Sequence, residues 1–321
     1  MARILSLGSA LADIYLIDHD DLKPTMIGGE AIFGKVLVGS KVDIDRLEYG
    51  VGGGGLNSAI CFSRHGHEAI LMANVGRDMA GQIIMSTLDR EGVDNSYITV
   101  DGRKTTGTSL VLLDKNSGER TILTYRGASS EFANFDEHDL ELVQPDWLYI
   151  TTLRGDMATL ERFLKKAREM GIKVMFNPGV CELKQPSEVR RLLHLVDVAI
   201  MNKSEAAQLV PSGVLLTEFI HKLENYARVT IITDGAMGGI ASDGEERYRF
   251  GIYEDVKAKD ATGAGDAFGS GFLAHYAAGE SFKKSLIFAS ANSTAVVASI
   301  GANRGLLDGT ERLHPMPIQK I

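Results

Sequence analysis

The residues best suited to chemistry lie in D-A-T-G-A-G-D, positions 260–266, which runs into F-G-S-G-F-L-A-H-Y-A-A-G. Asp266 falls in the first turn of a predicted helix, behind three backbone amides that no bulky side chain obstructs. A helix start built of small residues exposes unpaired N–H groups and the positive end of the helix dipole, and so attracts phosphate. A carboxylate beside such a turn suits a base working next to a transferring phosphoryl group. An acid also suits the first turn of any helix, so this segment alone points to phosphate binding and no further.

A second glycine-rich run, Gly50–Gly55, formally matches the dinucleotide pattern G-x-G-x-x-G. That fingerprint follows a buried strand and needs an acid some twenty residues on. Here those positions read Ile70, Leu71, Met72 and Ala73, so the dinucleotide reading is set aside. Gly29–Val36 resembles a phosphate loop, but Val36 stands where a magnesium-binding hydroxyl belongs. Positions 52–76 read better as one unit: glycines at 52–55 allow close backbone approach to a ligand, and Asn57 follows. The Asn57 amide donates and accepts, which suits a sugar hydroxyl; it equally suits the cap of the following helix.

These segments need a scaffold. Arg3–Leu7 predicts a short buried strand, 57–65 a helix, Ala69–Val75 a strand and Ala80–Glu91 a helix. Thr108–Leu113 and Arg120–Tyr125 predict a hairpin joined by D-K-N-S-G-E. Strands at Trp147–Thr151, Lys173–Asn177, Asp197–Met201 and Val229–Asp234 alternate with helices at Asp156–Met170 and Ser187–Leu195. Two long helices, near 264–278 and 282–299, close the chain. Such alternation predicts an α/β fold, a mostly parallel sheet covered on both faces. The β-rich stretches 14–50 and 97–126 do not fit that layering and read as lid insertions over a site. Exposed lid strands are edges, which makes a homodimer through them plausible.

Composition narrows the partners. The 321 residues carry a net charge of −8, which argues against nucleic acid or an anionic membrane as the main partner. Two cysteines, Cys61 and Cys181, are too few for a disulfide framework and sit in apolar surroundings, so they read as inert thiols. With no signal peptide and no bilayer-length apolar stretch, the expected location is cytoplasmic.

Taken together, the unit at 52–76 and the segment D-A-T-G-A-G-D-A-F-G-S-G-F at 260–272 resemble the two signatures of the ribokinase-like, or PfkB, carbohydrate kinases. N-K-S-E at 202–205 resembles that family's N-x-x-E motif, and T-D-G-A-M-G at 233–238 its T-x-G-x-x-G nucleotide turn. The resemblance implies a single domain over 1–321, a three-layer αβα fold with a small β lid. It implies transfer of the γ-phosphate of ATP to an alcohol, usually a sugar hydroxymethyl group, with nucleosides as alternative acceptors and a non-catalytic binding protein as another alternative. By match of position, Asp266 is the general base, for which a carboxylate of ordinary pKa suffices, and the amides of Gly263, Ala264 and Gly265 form the anion hole. Asn202 and Glu205 would order Mg2+ and its waters, Glu205 acting through water. Thr233, Gly235 and Gly238 would shape the nucleotide pocket, with Asn292 on its adenine side. Asp13, Gly53, Gly54 and Asn57 would bind the acceptor.

Some positions depart from the family pattern. Gly54 stands where ribokinases usually carry lysine, Ala261 replaces a hydroxyl or proline residue, and T-T-L-R-G-D at 151–156 lacks an expected acid. Phe176–Gly179 keeps the ribokinase asparagine–proline turn. Arg126 and Arg154 lie near the expected lid and sheet edge, where either could pair with an acidic or phosphorylated acceptor or simply be solvated. Phe33, Tyr49 and Tyr125 are candidates to stack on a nucleoside base. Activation by K+ would need carbonyls near 260–262 and 301–305; Gly305 replaces the family's serine there, which leaves potassium open.

Overall fold

Trp147–Ile150 is buried along its whole length, as expected of a strand covered on both faces. It occupies the middle of a ten-stranded sheet. The computed structural model describes residues 1–17, 24–27, 30–33, 39, 41, 43–44, 46–113, 120–210 and 215–321, with 24–27 and 30–33 as backbone only. The strands are β1 Arg3–Leu7, β2 Leu11–Ile17, β3 Pro24–Ile27, β4 Glu30–Phe33, β5 Arg46–Gly52, β6 Glu68–Gly76, β7 Ile98–Asp101, β8 Thr108–Leu113 and β9 Arg120–Tyr125. They continue as β10 Trp147–Ile150, β11 Lys173–Phe176, β12 Val198–Asn202, β13 Val229–Thr233, β14 Gly239–Ser242, β15 Arg247–Phe250 and β16 Ile318–Lys320.

The large sheet runs β16-β15-β14-β13-β12-β11-β10-β1-β6-β7. Pairing is parallel from β7 to β13 and antiparallel through β14, β15 and β16. Alternation along β1 sends Ile4 to one face and Leu5 and Leu7 to the other. Helices α1 (Gly54–Arg64), α2 (Met79–Arg90), α8 (Ala264–Ala277) and α9 (Phe282–Val297) cover the Ile4 face. The opposite face packs α3 (Asp139–Val143), α4 (Met157–Met170), α5 (Pro186–Leu193), α6 (Lys203–Leu209) and α7 (Leu216–Leu223). This is the three-layer αβα arrangement expected. Each fully buried leucine or phenylalanine contributes roughly 1.5–3 kcal/mol. Cys61 lies in this core, and burial pushes its thiol up to about 11, which keeps it unreactive.

A separate four-stranded sheet, β5-β2-β8-β9, stands apart from the central sheet. It joins the two β-rich insertions, with one difference from the sequence reading. β7, within the stretch 97–126, pairs in parallel with β6 and belongs to the central sheet, so the second insertion contributes strands only from Thr108. The expected turn at 114–119 lies outside the described residues, as do Gly29, residues 34–36 and the side chain of Phe33. The chain also ends differently: after the two long helices, β16 crosses to the sheet edge and pairs with β15.

Candidate active site

The α8 N-terminus is organised by a buried carboxylate upstream. Asp260 Oδ1 accepts from Thr262 N at 2.9 Å and Thr262 Oγ1 at 2.6 Å, and Oδ2 accepts from Gly301 N at 3.1 Å. These bonds fix the turn and tie together the loops at 260–262 and 301–305; the lid residue Arg120 adds its Nε 3.6 Å from Oδ1. Gly263 takes φ +78°, and a Cβ there would stand 2.3 Å from Ala302 O, so both conformation and space demand glycine. Among the described residues, the N–H groups of Gly265 and Asp266 find no acceptor, and Ala264 N reaches Ala261 O only at 3.4 Å. The turn therefore presents free donors at a helix start, the arrangement that binds anions.

Asp266 is half-buried, and burial raises its pKa above the ordinary carboxylate value, while a hydrogen bond from Asn57 opposes the shift. Asn57 Nδ2 donates to Asp266 Oδ2 at 2.8 Å, and Asn57 Oδ1 accepts from Asn303 Nδ2 at 3.0 Å. Asn57 is therefore not the helix cap: α1 begins at Gly54, and Asn57 lies buried in its first turn with one N–H still free to reach a ligand. Gly53, at φ +98°, precedes the helix; a Cβ would meet Ser9 O at 2.4 Å.

Two cavities meet at this helix start. One, of about 170 Å³, is lined by Asp13, Gly53, Asn57, Arg126, Gly263 and Asp266 together with lid residues. Asp13 is buried there and bonded by Ser109; burial raises its pKa to about 6, and the charge of Asp260 adds to the rise. Gly54 is turned away: a Cβ would lie 2.9 Å from Thr151 Cγ2, and the residue does not line this cavity. Tyr49 and Tyr125 are exposed on the lid and line neither cavity.

The second cavity, of about 290 Å³, is lined mainly by apolar groups: Phe250, Tyr253, Phe268 and Val297, with Thr233, Gly235 and Gly238 at one end and Ala264 and Gly265 at the other. The T-D-G-A-M-G turn and the α8 start thus face one space. N-K-S-E sits beside it. Asn202 caps α6: its Oδ1 accepts from Glu205 N at 3.0 Å, and Glu205 Oε2 accepts from Asn202 N at 2.8 Å, a reciprocal capping box. Lys203 Nζ bonds Asp234 Oδ2 at 3.0 Å and joins this motif to the glycine turn. Asn292 is a correction. It is fully buried and outside the cavity, donating to Ala267 O at 2.7 Å and accepting from Leu307 N at 2.9 Å, so it ties α9 to α8.

The sequence reading passed over Asn303, Ser109 and Asp260 as side-chain partners of the site. Asn303 is 246 residues from Asn57, and nothing local marks it. Ser109 shares a face with Asp13 only because β2 and β8 pair in register at those residues.

Residues 1–308 match the family described as pfkB family carbohydrate kinase. The ribokinase of Haemophilus influenzae is 27% identical over 273 residues, covering 82% of this chain and 86% of its own length. The fructokinase of Salmonella typhimurium is 26% identical, covering 71% and 77%. Among solved structures, Arabidopsis thaliana ribokinase complexed with ribose and ATP superposes with a TM-score of 0.77 at 22% identity, covering 95% of this chain and 96% of its own. With the signature turns on one site and the family pattern running through nearly the whole chain, the protein belongs to the pfkB family of carbohydrate kinases.

Proposed function

We propose that the protein transfers the γ-phosphoryl group of ATP to a hydroxymethyl group of a sugar across the start of α8. One observation carries this reading: a single set of free helix amides lies between a cavity holding Asp13, Asn57 and Asp266 and an apolar cavity holding the glycine turn. The acceptor hydroxyl gives its proton to Asp266 as its oxygen bonds to Pγ, the bond from Pγ to the β,γ-bridging oxygen breaks, and ADP leaves. The amides of Gly263, Ala264 and Gly265 stabilise charge on the migrating phosphoryl oxygens. Asp13 and the free N–H of Asn57 orient the sugar. The acceptor cavity falls below the several hundred Å³ usual for larger ligands and, among the described residues, carries no stacking ring, which favours a sugar over a nucleoside.

Mg2+ would arrive with ATP and neutralise charge on its phosphates. The residues present fit it. Burial raises the Glu205 pKa, and the charges of Asp266 and Glu182 raise it further, an excess of negative charge that a cation relieves. Among the described residues no cluster of three His, Cys, Asp or Glu could hold a metal directly, which suits an ion bound through its own water. Among them, too, no helix is long and apolar enough to cross a membrane. ATP supply and free thiols favour the cytoplasm as the place of work.

The division between cavities is open to a direct test. A Cβ on Gly265 meets no atom within 4 Å, so Gly265→Val should fold normally yet fill the nucleotide cavity. An unhydrolysable ATP analogue should raise the melting temperature of the parent and not of this variant. Retention of the parent's upshift removes the α8 amides from the nucleotide site. The lid supports a homodimer: its outer strands β5 and β9 expose Leu47, Tyr49, Ile122, Leu123 and Tyr125. Sedimentation equilibrium should give a dimer that Leu123→Lys converts to monomer. A monomeric parent at every concentration rejects it.

A further inference from the structure

We propose that the sugar acceptor carries an anionic group, phosphate or carboxylate, bound by Arg126 and Arg154 beside the acceptor cavity. The inference rests on the phosphotransfer reading above and narrows its substrate class. Arg126 follows β9 at the edge of the lid and lines the same cavity as Asp13, Asn57 and Asp266. Among the described residues its half-buried guanidinium has no hydrogen bond and no ion pair, although two carboxylates line that cavity. Its nearest marked electrostatic neighbour is another cation: burial and the charge of Arg154 both lower the Arg126 pKa.

That situation is unusual in this protein. Acids outnumber lysine and arginine by 42 to 34. Partly buried arginines elsewhere are paired, as Arg64 is with Glu91 and Arg247 with Glu224. Among the described residues Arg126 is a half-buried, unpaired cation on this cavity, and the exposed Arg154 is near enough for its charge to act on it, a cost that a bound anion removes.

The loop bearing Arg154 is built to hold it there. Arg154 is exposed and takes φ +59°, a left-handed conformation that a residue with a side chain rarely adopts. Glu182, fully buried, fixes the loop: Oε1 accepts from Gly155 N at 2.8 Å, and Oε2 accepts from Thr152 Oγ1 at 2.7 Å and Gly179 N at 2.9 Å. Thr152 Oγ1 in turn accepts from Arg154 N at 3.2 Å. The nearest buried acid therefore spends both oxygens on backbone and hydroxyl groups and makes no ion pair with Arg154. Thr151, at the head of this loop, lies against Gly54 in the first turn of α1, three residues before Asn57 of the acceptor cavity.

The test compares fructose, fructose 1-phosphate, fructose 6-phosphate and gluconate as acceptors in an ADP-release assay, with thermal shifts for each. An anionic compound should exceed fructose in kcat/KM by about tenfold or more, the scale of a charge-assisted contact. Preference for a sugar phosphate or for gluconate identifies the anion. Arg126→Gln and Arg154→Gln should each bring that ratio toward one, and Arg126→Lys should restore part of it. Removing an unpaired cation should leave the melting temperature equal or higher, which separates lost binding from lost folding. If fructose is turned over as well as every anionic compound, the proposal is wrong. If nothing is turned over, phosphotransfer to these sugars fails instead, and the thermal shifts still decide: an upshift by an anionic compound that Arg126→Gln abolishes supports the anion site, and its absence rejects it.

Discussion

Asp266→Asn should lower kcat by roughly 10²–10⁴-fold, the usual contribution of a positioned general base. The substitution is close to isosteric, and an amide oxygen at this position can still accept from Asn57 Nδ2, which now lies 2.8 Å from Asp266 Oδ2. The melting temperature and the thermal upshift with an ATP analogue should therefore persist while turnover disappears. Because burial raises the Asp266 pKa, the acid limb of the parent's kcat profile should lie above the ordinary carboxylate range. Activity is then lost as pH falls through that raised value, since only the ionised form accepts the hydroxyl proton. Rate measurements under saturating substrate from pH 4 to 9 check both points. A variant that kept more than a tenth of the parent's kcat would show that the proton leaves by another route.

How far the sequence discloses this site depends on the range of the interactions. The α8 start was legible because its requirements are local: small residues, an acid in the first turn and a glycine before the helix. The central strands β10 to β13 were legible because full burial leaves short apolar runs that punctuation residues delimit. β16 was not, because three residues, Ile318–Lys320, gain strand structure only from β15, some seventy residues earlier. Asn57 and Asn292 mark the limit most sharply. Each is an asparagine within a helix, and the residue type suits a ligand contact at either position. Only the packing of α1, α8 and α9 decides that Asn57 holds Asp266 while Asn292 is consumed inside the core. Residue type specifies what an amide can bond; tertiary neighbours specify what it does bond.

Asp13→Asn should stabilise the protein at neutral pH and weaken it as an enzyme. Asp13 is 6% exposed, and burial, aided by the charge of Asp260, raises its pKa to about 6 against the opposing bond from Ser109. An acid with a raised folded pKa binds its proton more tightly in the folded state. Stability therefore falls as pH rises from about 4 to about 6 and stays lower above that, by about 3 kcal/mol for a shift of this size. An asparagine keeps an acceptor for Ser109 without the charge, so the melting temperature should rise at pH 7.5, and the gain should vanish toward pH 4. A hydrogen bond to a charged group contributes about 1.5–3 kcal/mol, so the sugar KM should increase roughly tenfold to a hundredfold. In the parent the same KM should increase below pH 6 as Asp13 protonates, and in the variant that limb should be missing. An unchanged KM at pH 7.5 would remove Asp13 from the acceptor site. The joint outcome, greater stability with poorer sugar binding, is the signature of a buried charge retained for its ligand rather than for the fold.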